Sequence, residues 1–425
     1  MKFKTRTTTK RIALIVYFAL CTLAGRHAIS PVLLTVYIIA MIFFDGKEHS
    51  LSYLALYLPW YPVLEIEQAT VVVGAFLLRN IIKRKISTLV SINAVLFSAT
   101  LLLSNLFAGI SIIRWIASSV YFIIIVIFLF DKNITLDYQE SIYTFTLSLI
   151  ISGIFALFGN LFPYWVKGSE QVVFYGFNNY FEGLLAGITV RFSGINIDSN
   201  FNSANFLVCV AFLMFLIYKN KAQKTVSNIV AVIVLLTMGM QSLSLTYFIS
   251  LLSLIIVCVF IDSHRLDKKV VFGRGVILLI VVGYSGFQSS INTLINIFID
   301  RLSSNTFITR IDIWKRYFHD SINSFNAFFF GHGAMSLIDN SSHNVFVRLF
   351  YMNGIICGGV LLILLLKNLI NWRQFDNKYF VFLVPIFLFS MTLDLFVDIS
   401  IYFFMYFLIV INQISKDNIL IEGKV

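Results

Sequence analysis

Long apolar runs separated by short polar turns dominate this chain. They predict helical segments near 12–25, 28–44, 51–64, 66–78, 86–104, 109–130, 141–161, 204–218, 226–240, 245–261, 271–290, 344–366, 379–396 and 399–412. A straight membrane crossing needs roughly 20 apolar residues, and several runs are shorter, so the pattern predicts about 12–14 crossings with soft ends. Two long polar stretches interrupt the pattern, at 162–203 and 291–342. The expected fold is therefore an all-α polytopic membrane protein. It comprises N-terminal helices in 1–161, a first long loop 162–203, central helices in 204–290, a second long loop 291–342 and C-terminal helices in 343–425.

Inside the second loop, Phe307, Ile311, Trp314 and Phe318 recur at helical spacing, with Arg310, Lys315, Arg316 and His319 among them. That spacing predicts an amphipathic helix lying on a membrane surface, with Asp312 and Arg316 as an i,i+4 pair. Phe328-Phe-Phe-Gly331-His332-Gly333 then reads as a glycine turn back toward the membrane. Ser341 or Ser342 is expected to cap the next helix, leaving His343 and Asn344 in its first turn. Asn344 and Arg348 would share a face, and Gly354 with Gly358 makes a small-xxx-small pattern for close helix packing. The first loop is rich in Gly, Ser, Asn and Asp over 187–202, with Asp198 or Ser199 as a cap and Arg191 as its one arginine.

Composition sharpens the class. Hydrophobic residues make up 59% of the 425 and charged residues 12%, with a mean hydropathy of +0.87. Such a chain has too much apolar surface for a water-soluble core. The net charge of +11 raises nucleic acid as a partner. Its distribution argues against that: with the N-terminus inside, the basic clusters at 2–11, 79–85, 219–224, 265–274 and 367–378 all fall on one side. This is the positive-inside asymmetry, and it predicts cytoplasmic termini with both long loops on the outer face of the cytoplasmic membrane. The basic N-terminus reads as an uncleaved first anchor. Cys21, Cys209, Cys258 and Cys357 lie in apolar runs without paired spacing, which argues against disulfides and a metal cluster.

Ionisable residues inside apolar runs are the candidate chemistry. Arg114 reads either as snorkelling to the headgroups or as a site residue. Asp394 and Asp398 read either as interfacial or as partners of a site arginine. His343, at the mouth of a run with Arg348 one turn deeper, is costly to place there.

Taken together, these pieces resemble the polytopic O-antigen ligase and polysaccharide-repeat polymerase superfamily. The resemblance rests on His343-Asn344, nine residues, then Gly354, with Cys357 where Gly, Thr or Tyr is usual. It rests also on Arg310-Ile-Asp-Ile-Trp314 followed by Gly331-His-Gly333, and on Arg191-Phe-Ser-Gly194 with Asp198-Ser-Asn200. No arginine follows Ser242 or Ser244, where many relatives carry one. The resemblance implies a GT-C-like helical fold that needs neither metal nor cofactor, and the sequence shows no acidic cluster to hold an ion. It implies transfer of a glycan from an undecaprenyl-pyrophosphate-linked oligosaccharide at the outer face, in a pathway with a flippase and a chain-length regulator. His343 would act as general base, with Arg191 and Arg310 holding the pyrophosphate and Asn344 and Arg348 in the substrate-binding set. The expected activity is polymerisation of repeat units into a capsule or O-antigen. A ligase that moves finished polymer to a surface acceptor shares the same donor chemistry. A lipid-linked oligosaccharide flippase is a third reading, set against polar residues that gather in two loops rather than at the bilayer midplane.

Overall fold

The computed structural model describes residues 31–60, 66–81, 135–157, 199–218, 225–242, 244–261, 306–333, 343–375, 384–393 and 405–414, with short pieces within 11–16 and 95–109 and single positions elsewhere. Among the described residues the regular structure is helical, as the apolar runs predict. The chain packs as two compact units. The first joins 1–92, 124–242 and 398–425, and the second joins 93–123 and 243–397.

The first unit contains α1 (Pro31–Phe44), α2 (Ser50–Tyr57), α3 (Ile66–Ile81), α4 (Tyr138–Leu157), α5 (Ser199–Tyr218), α6 (Thr225–Met240) and α12 (Met405–Ile414). Pro31 opens α1, where its missing N–H leaves no helical bond unmade. The stretch Asn200–Ile217 of α5 is long and apolar enough to cross a membrane, and 83% of it is buried. A helix that is apolar all round belongs in a core. Small polar side chains fasten its neighbours. Trp60 Nε1 donates to Ser148 Oγ at 2.9 Å, and that hydroxyl donates to the Leu56 carbonyl at 2.8 Å. The Leu136 amide donates to Gln413 Oε1 at 3.0 Å, and Phe145 stacks on Tyr406 with centroids 4.9 Å apart. These bonds satisfy polar groups that would otherwise be buried without partners between apolar helices.

The second unit contains α7 (Leu245–Ile261), α8 (Thr306–Ile322), α9 (Phe325–Phe330), α10 (Val345–Phe375) and α11 (Val384–Thr392). Here α8 and α9 pack on each other and on α10, and α11 packs on α7 and α10. The second loop of the sequence reading therefore carries two helices. Its amphipathic helix is present, but rotated from the expected face. Ile313, Tyr317 and Ser321 are buried, while Phe318 is exposed, and Ile313 and Tyr317 form a small core with Tyr351, packed by Trp314 and Val347. The helix has a protein partner on α10, which selects a stripe one residue off the simple apolar count. Asp312 meets Lys315 at 3.4 Å in an exposed i,i+3 contact, rather than the expected Arg316.

Candidate functional site

The site is built on α10, and α10 is two helices. Gly354 has φ 62 and ψ −172 inside it, so the first arm ends at Asn353 after nine residues. Nine residues of α-helix span about 13 Å. A Cβ on Gly358 would lie 3.3 Å from the Leu349 carbonyl oxygen, across a sequence gap that a straight helix would stretch to about 13 Å. The chain thus turns sharply at Gly354. The expected small-xxx-small face of Gly354 and Gly358 is corrected accordingly: Gly354 is itself the break, so the two glycines do not share one helix face.

The break frees carbonyls that a continuous helix would use. The His332 amide donates to the Tyr351 carbonyl at 2.9 Å and the Gly333 amide to the Met352 carbonyl at 2.8 Å. So the Gly331-His-Gly333 turn docks by its backbone onto the opened helix. Gly331 has φ 78 and Gly333 φ 86, a region that side chains disfavour. The approach is as tight as the dihedrals. A Cβ on Gly354 would sit 2.5 Å from the Phe329 carbonyl and 2.6 Å from the Gly331 nitrogen. The predecessor α9 is held in place by Ser324, whose Oγ accepts from the Ala327 amide at 3.0 Å, and by Phe330, stacked on Phe107 at 4.2 Å.

At the other end of the first arm, Asn344 is itself the cap. Its Oδ1 accepts from the Phe346 amide at 2.9 Å and the Val347 amide at 3.2 Å, while Nδ2 donates to the Met391 carbonyl at 3.2 Å. The expectation that Asn344 lies in the first turn behind a serine cap is corrected. Its side chain satisfies otherwise orphaned helix amides and ties α10 to α11. Ser341 and Ser342 lie outside the described residues. His343 stands just before the cap, half-buried, at φ 48, the one non-glycine residue with positive φ among the described residues. Histidine is among the few side chains that tolerate this region.

Arg348 is 2% exposed, and its Nη1 donates to the Tyr317 hydroxyl at 3.4 Å. It is placed as a strut between α10 and α8. Arg310 is half-buried on α8, seven residues and two turns before Tyr317, and so on the same face of that helix. Arg191, Arg114, Asp394 and Asp398 lie outside the described residues.

Four residues that the sequence reading did not single out as site residues join this arrangement. The Tyr351 hydroxyl donates to Asp320 Oδ2 at 3.1 Å, and His332 Nε2 lies 3.4 Å from the same oxygen. The His332 ring stacks on Tyr351 at 4.3 Å, and Tyr317 meets Tyr351 edge-on at 4.7 Å. The spacing of Asn344, Arg348 and Tyr351 along one helical stripe was a usable signal for Tyr351. Nothing local marks Asp320, whose partner is 31 residues away in the chain.

The first unit holds a separate charged cluster. The ligand atoms of His49, Asp137 and Glu140 lie within 4.8 Å of one another, close enough for a metal ion. Their bonds point elsewhere. Glu140 takes an ion pair from the buried Arg11 and a 2.5 Å bond from His49 Nδ1, while Asp137 Oδ1 accepts the Glu140 amide. The Glu140 hydrogen bond raises the His49 pKa above its ordinary value, against burial. Burial alone would raise Glu140. The His49 hydrogen bond and the Arg11 charge outweigh it and hold the carboxyl below its usual range. A guanidinium on the central carboxylate makes this an ion network more than a ligand set.

The chain matches no known family model and no curated protein.

Proposed function

We propose that the protein is an integral membrane glycosyltransferase that joins undecaprenyl-pyrophosphate-linked oligosaccharide repeat units into a surface polysaccharide. It would work on the outer face of the cytoplasmic membrane, with both termini inside. The observation that carries the reading is that the pieces of the family resemblance borne by 310–354 come together within the second unit. The Gly331-His-Gly333 turn seats on the Gly354 break, the arginine-bearing α8 packs on the first arm of α10, and His343 stands at the capped end of that arm.

The contacts between the helices step together. Tyr317 meets Arg348, and Asp320, three residues on, meets Tyr351, also three residues on. Arg310 lies two turns before Tyr317 on the same face of α8, toward the N-terminal ends of the pair, and is assigned as the cation that serves His343. A base and a planar cation at one end of a helix pair suit the reaction. The acceptor hydroxyl oxygen bonds to the anomeric carbon, and its proton passes to the His343 imidazole. The bond to the pyrophosphate oxygen breaks, and its electron pair leaves with the undecaprenyl pyrophosphate. Arg310 takes up the charge that develops there. Arg348, being buried, acts as a positioning residue. Asn344 holds the helix start and so the place of His343.

Membrane insertion is supported by the surface. Val226, Val230 and Ile233 are 76%, 54% and 40% exposed along one stripe of α6, and Phe44 is 89% exposed on α1. Apolar stripes facing outward suit lipid. Beside Asn200–Ile217 there are shorter apolar helices, among them Val226–Met240 and Thr246–Ile255. The ligase reading uses the same donor and base. One experiment separates the readings: complement a deletion strain with wild type or His343→Ala, and resolve surface glycan and lipid-linked intermediates on a gel. The polymerase reading expects single repeat units to accumulate on lipid with His343→Ala. Full-length polymer retained on lipid would indicate the ligase, and normal surface polymer would sink the assignment of His343.

A further inference from the structure

Asp320 and His332 form an accessible polar pair that the transfer chemistry above does not use. The Asp320 side chain is 45% exposed and that of His332 27%, while the Tyr351 beneath them is 5% exposed. Both Tyr351 and His332 approach one carboxylate oxygen, Oδ2. The second oxygen, Oδ1, makes no hydrogen bond among the described residues, and an ionised carboxylate has about four lone-pair sites to fill. The His332 Nε2 nitrogen is buried 3.4 Å from Oδ2 and makes no hydrogen bond there, so the imidazole keeps polar capacity to spare. The pair is rigid for three separate reasons: the His332 backbone is pinned to Tyr351, its ring is stacked on the same residue, and the Tyr351 hydroxyl orients the carboxylate.

Charge decides what this surface binds. A carboxylate repels a pyrophosphate, so the lipid-linked end of a substrate belongs elsewhere. Neutral hydroxyls donate to a carboxylate in charge-assisted bonds, and a half-open imidazole beside an aromatic floor offers a second polar contact. Tyr351 lies roughly 12 Å along the helix from His343, by the rise of about 1.5 Å per residue. That offset suits a sugar some way along a glycan whose reacting end is at His343. We propose that Asp320, His332 and Tyr351 form a subsite for the hydroxyls of a neutral sugar in the glycan being joined. The inference rests on the glycan-transfer reading. It adds the class of group recognised and the residues that recognise it.

The test uses membranes from the deletion strain carrying wild type, Asp320→Asn, His332→Gln or Tyr351→Phe. Initial rates of joining are measured against two lipid-linked fractions from the organism's own membranes, single repeat units and preformed chains, each varied with the other fixed. Asp320→Asn and His332→Gln are expected to raise KM for one fraction by about tenfold, the size of one lost bond to a charged group, with kcat within about twofold. The fraction affected tells whether the subsite holds donor or acceptor. Tyr351→Phe keeps the ring and is expected to give a smaller rise in the same KM. If both KM values stay within about twofold in the Asp320 and His332 variants, the subsite is overturned. A fall in thermal midpoint without a KM change overturns it too, by making the cluster structural. If the wild type joins nothing, the transfer reading itself falls and the subsite with it.

Discussion

Gly331 and Gly354 meet backbone to backbone, and each has a φ that an L side chain disfavours. An alanine at Gly354 would suffer twice, from φ 62 and from a Cβ 2.5 Å from the Phe329 carbonyl. Backbone strain of this kind costs about 1–3 kcal/mol before any clash is counted. Gly354→Ala is therefore expected to lower the thermal midpoint of the purified protein clearly. Alanine at Gly359, where nothing lies within 4 Å, should not. Arg348 makes a second case. Its side chain fills space between α10 and α8, so Arg348→Ala is expected to cost about 2–5 kcal/mol in chemical denaturation. Arg348→Met, which keeps most of the volume, should cost less. Equal losses for both would mean that the polar contacts of the guanidinium, the bond to Tyr317 among them, carry the effect rather than the packing.

Helix ends and helix faces belong to the next scale. The cap at Asn344 serves two amides of α10 and one carbonyl at the end of α11. Asn344→Ala is expected to destabilise by about 1 kcal/mol, and Asn344→Ser, which keeps an accepting oxygen but loses the bond to Met391, by less. A tenfold or greater loss of transfer with Asn344→Ser at unchanged stability would instead give the amide a direct substrate role. Many element bounds were legible in sequence. The expected 226–240 and 245–261 match Thr225–Met240 and Leu245–Ile261, and the expected 204–218 starts five residues late against Ser199–Tyr218. Apolar run length and polar turn residues set those ends locally. The buried face of α8 was not legible, because the apolar count includes Phe318, whose ring stacks on Phe350 at 5.9 Å and stays exposed, and omits Tyr317, which is buried.

At the scale of the whole molecule, the ion network of the first unit predicts how stability depends on pH. His49 has a folded pKa above its ordinary 6.5, so its contribution is full below about that pH and is lost as pH rises through the raised value. Glu140 has a folded pKa below its ordinary 4.5, so its contribution is full above that pH and is lost as pH falls through the lowered value. Both are complete between 4.5 and 6.5. Thermal midpoints measured across pH should show a plateau over that interval and fall away on each side. His49→Gln should flatten the alkaline limb. An alkaline limb unchanged by that substitution would assign it to other groups.

The sequence by itself determined the helical class, the places of most described helices, the two polar stretches and the spacing from His343 to Gly354. Each of these is a local property, set by hydrophobic periodicity and by residue types a few positions apart. Tertiary structure decided what the spacing is for: a nine-residue arm between a cap and a break, with a glycine turn seated on the freed carbonyls. It also decided that Asp320, His332 and Tyr351 converge, and that Arg348 faces inward to Tyr317. Those contacts join residues far apart in the chain. Their energy exists only once α8, α9 and α10 are packed, so no local pattern can carry it.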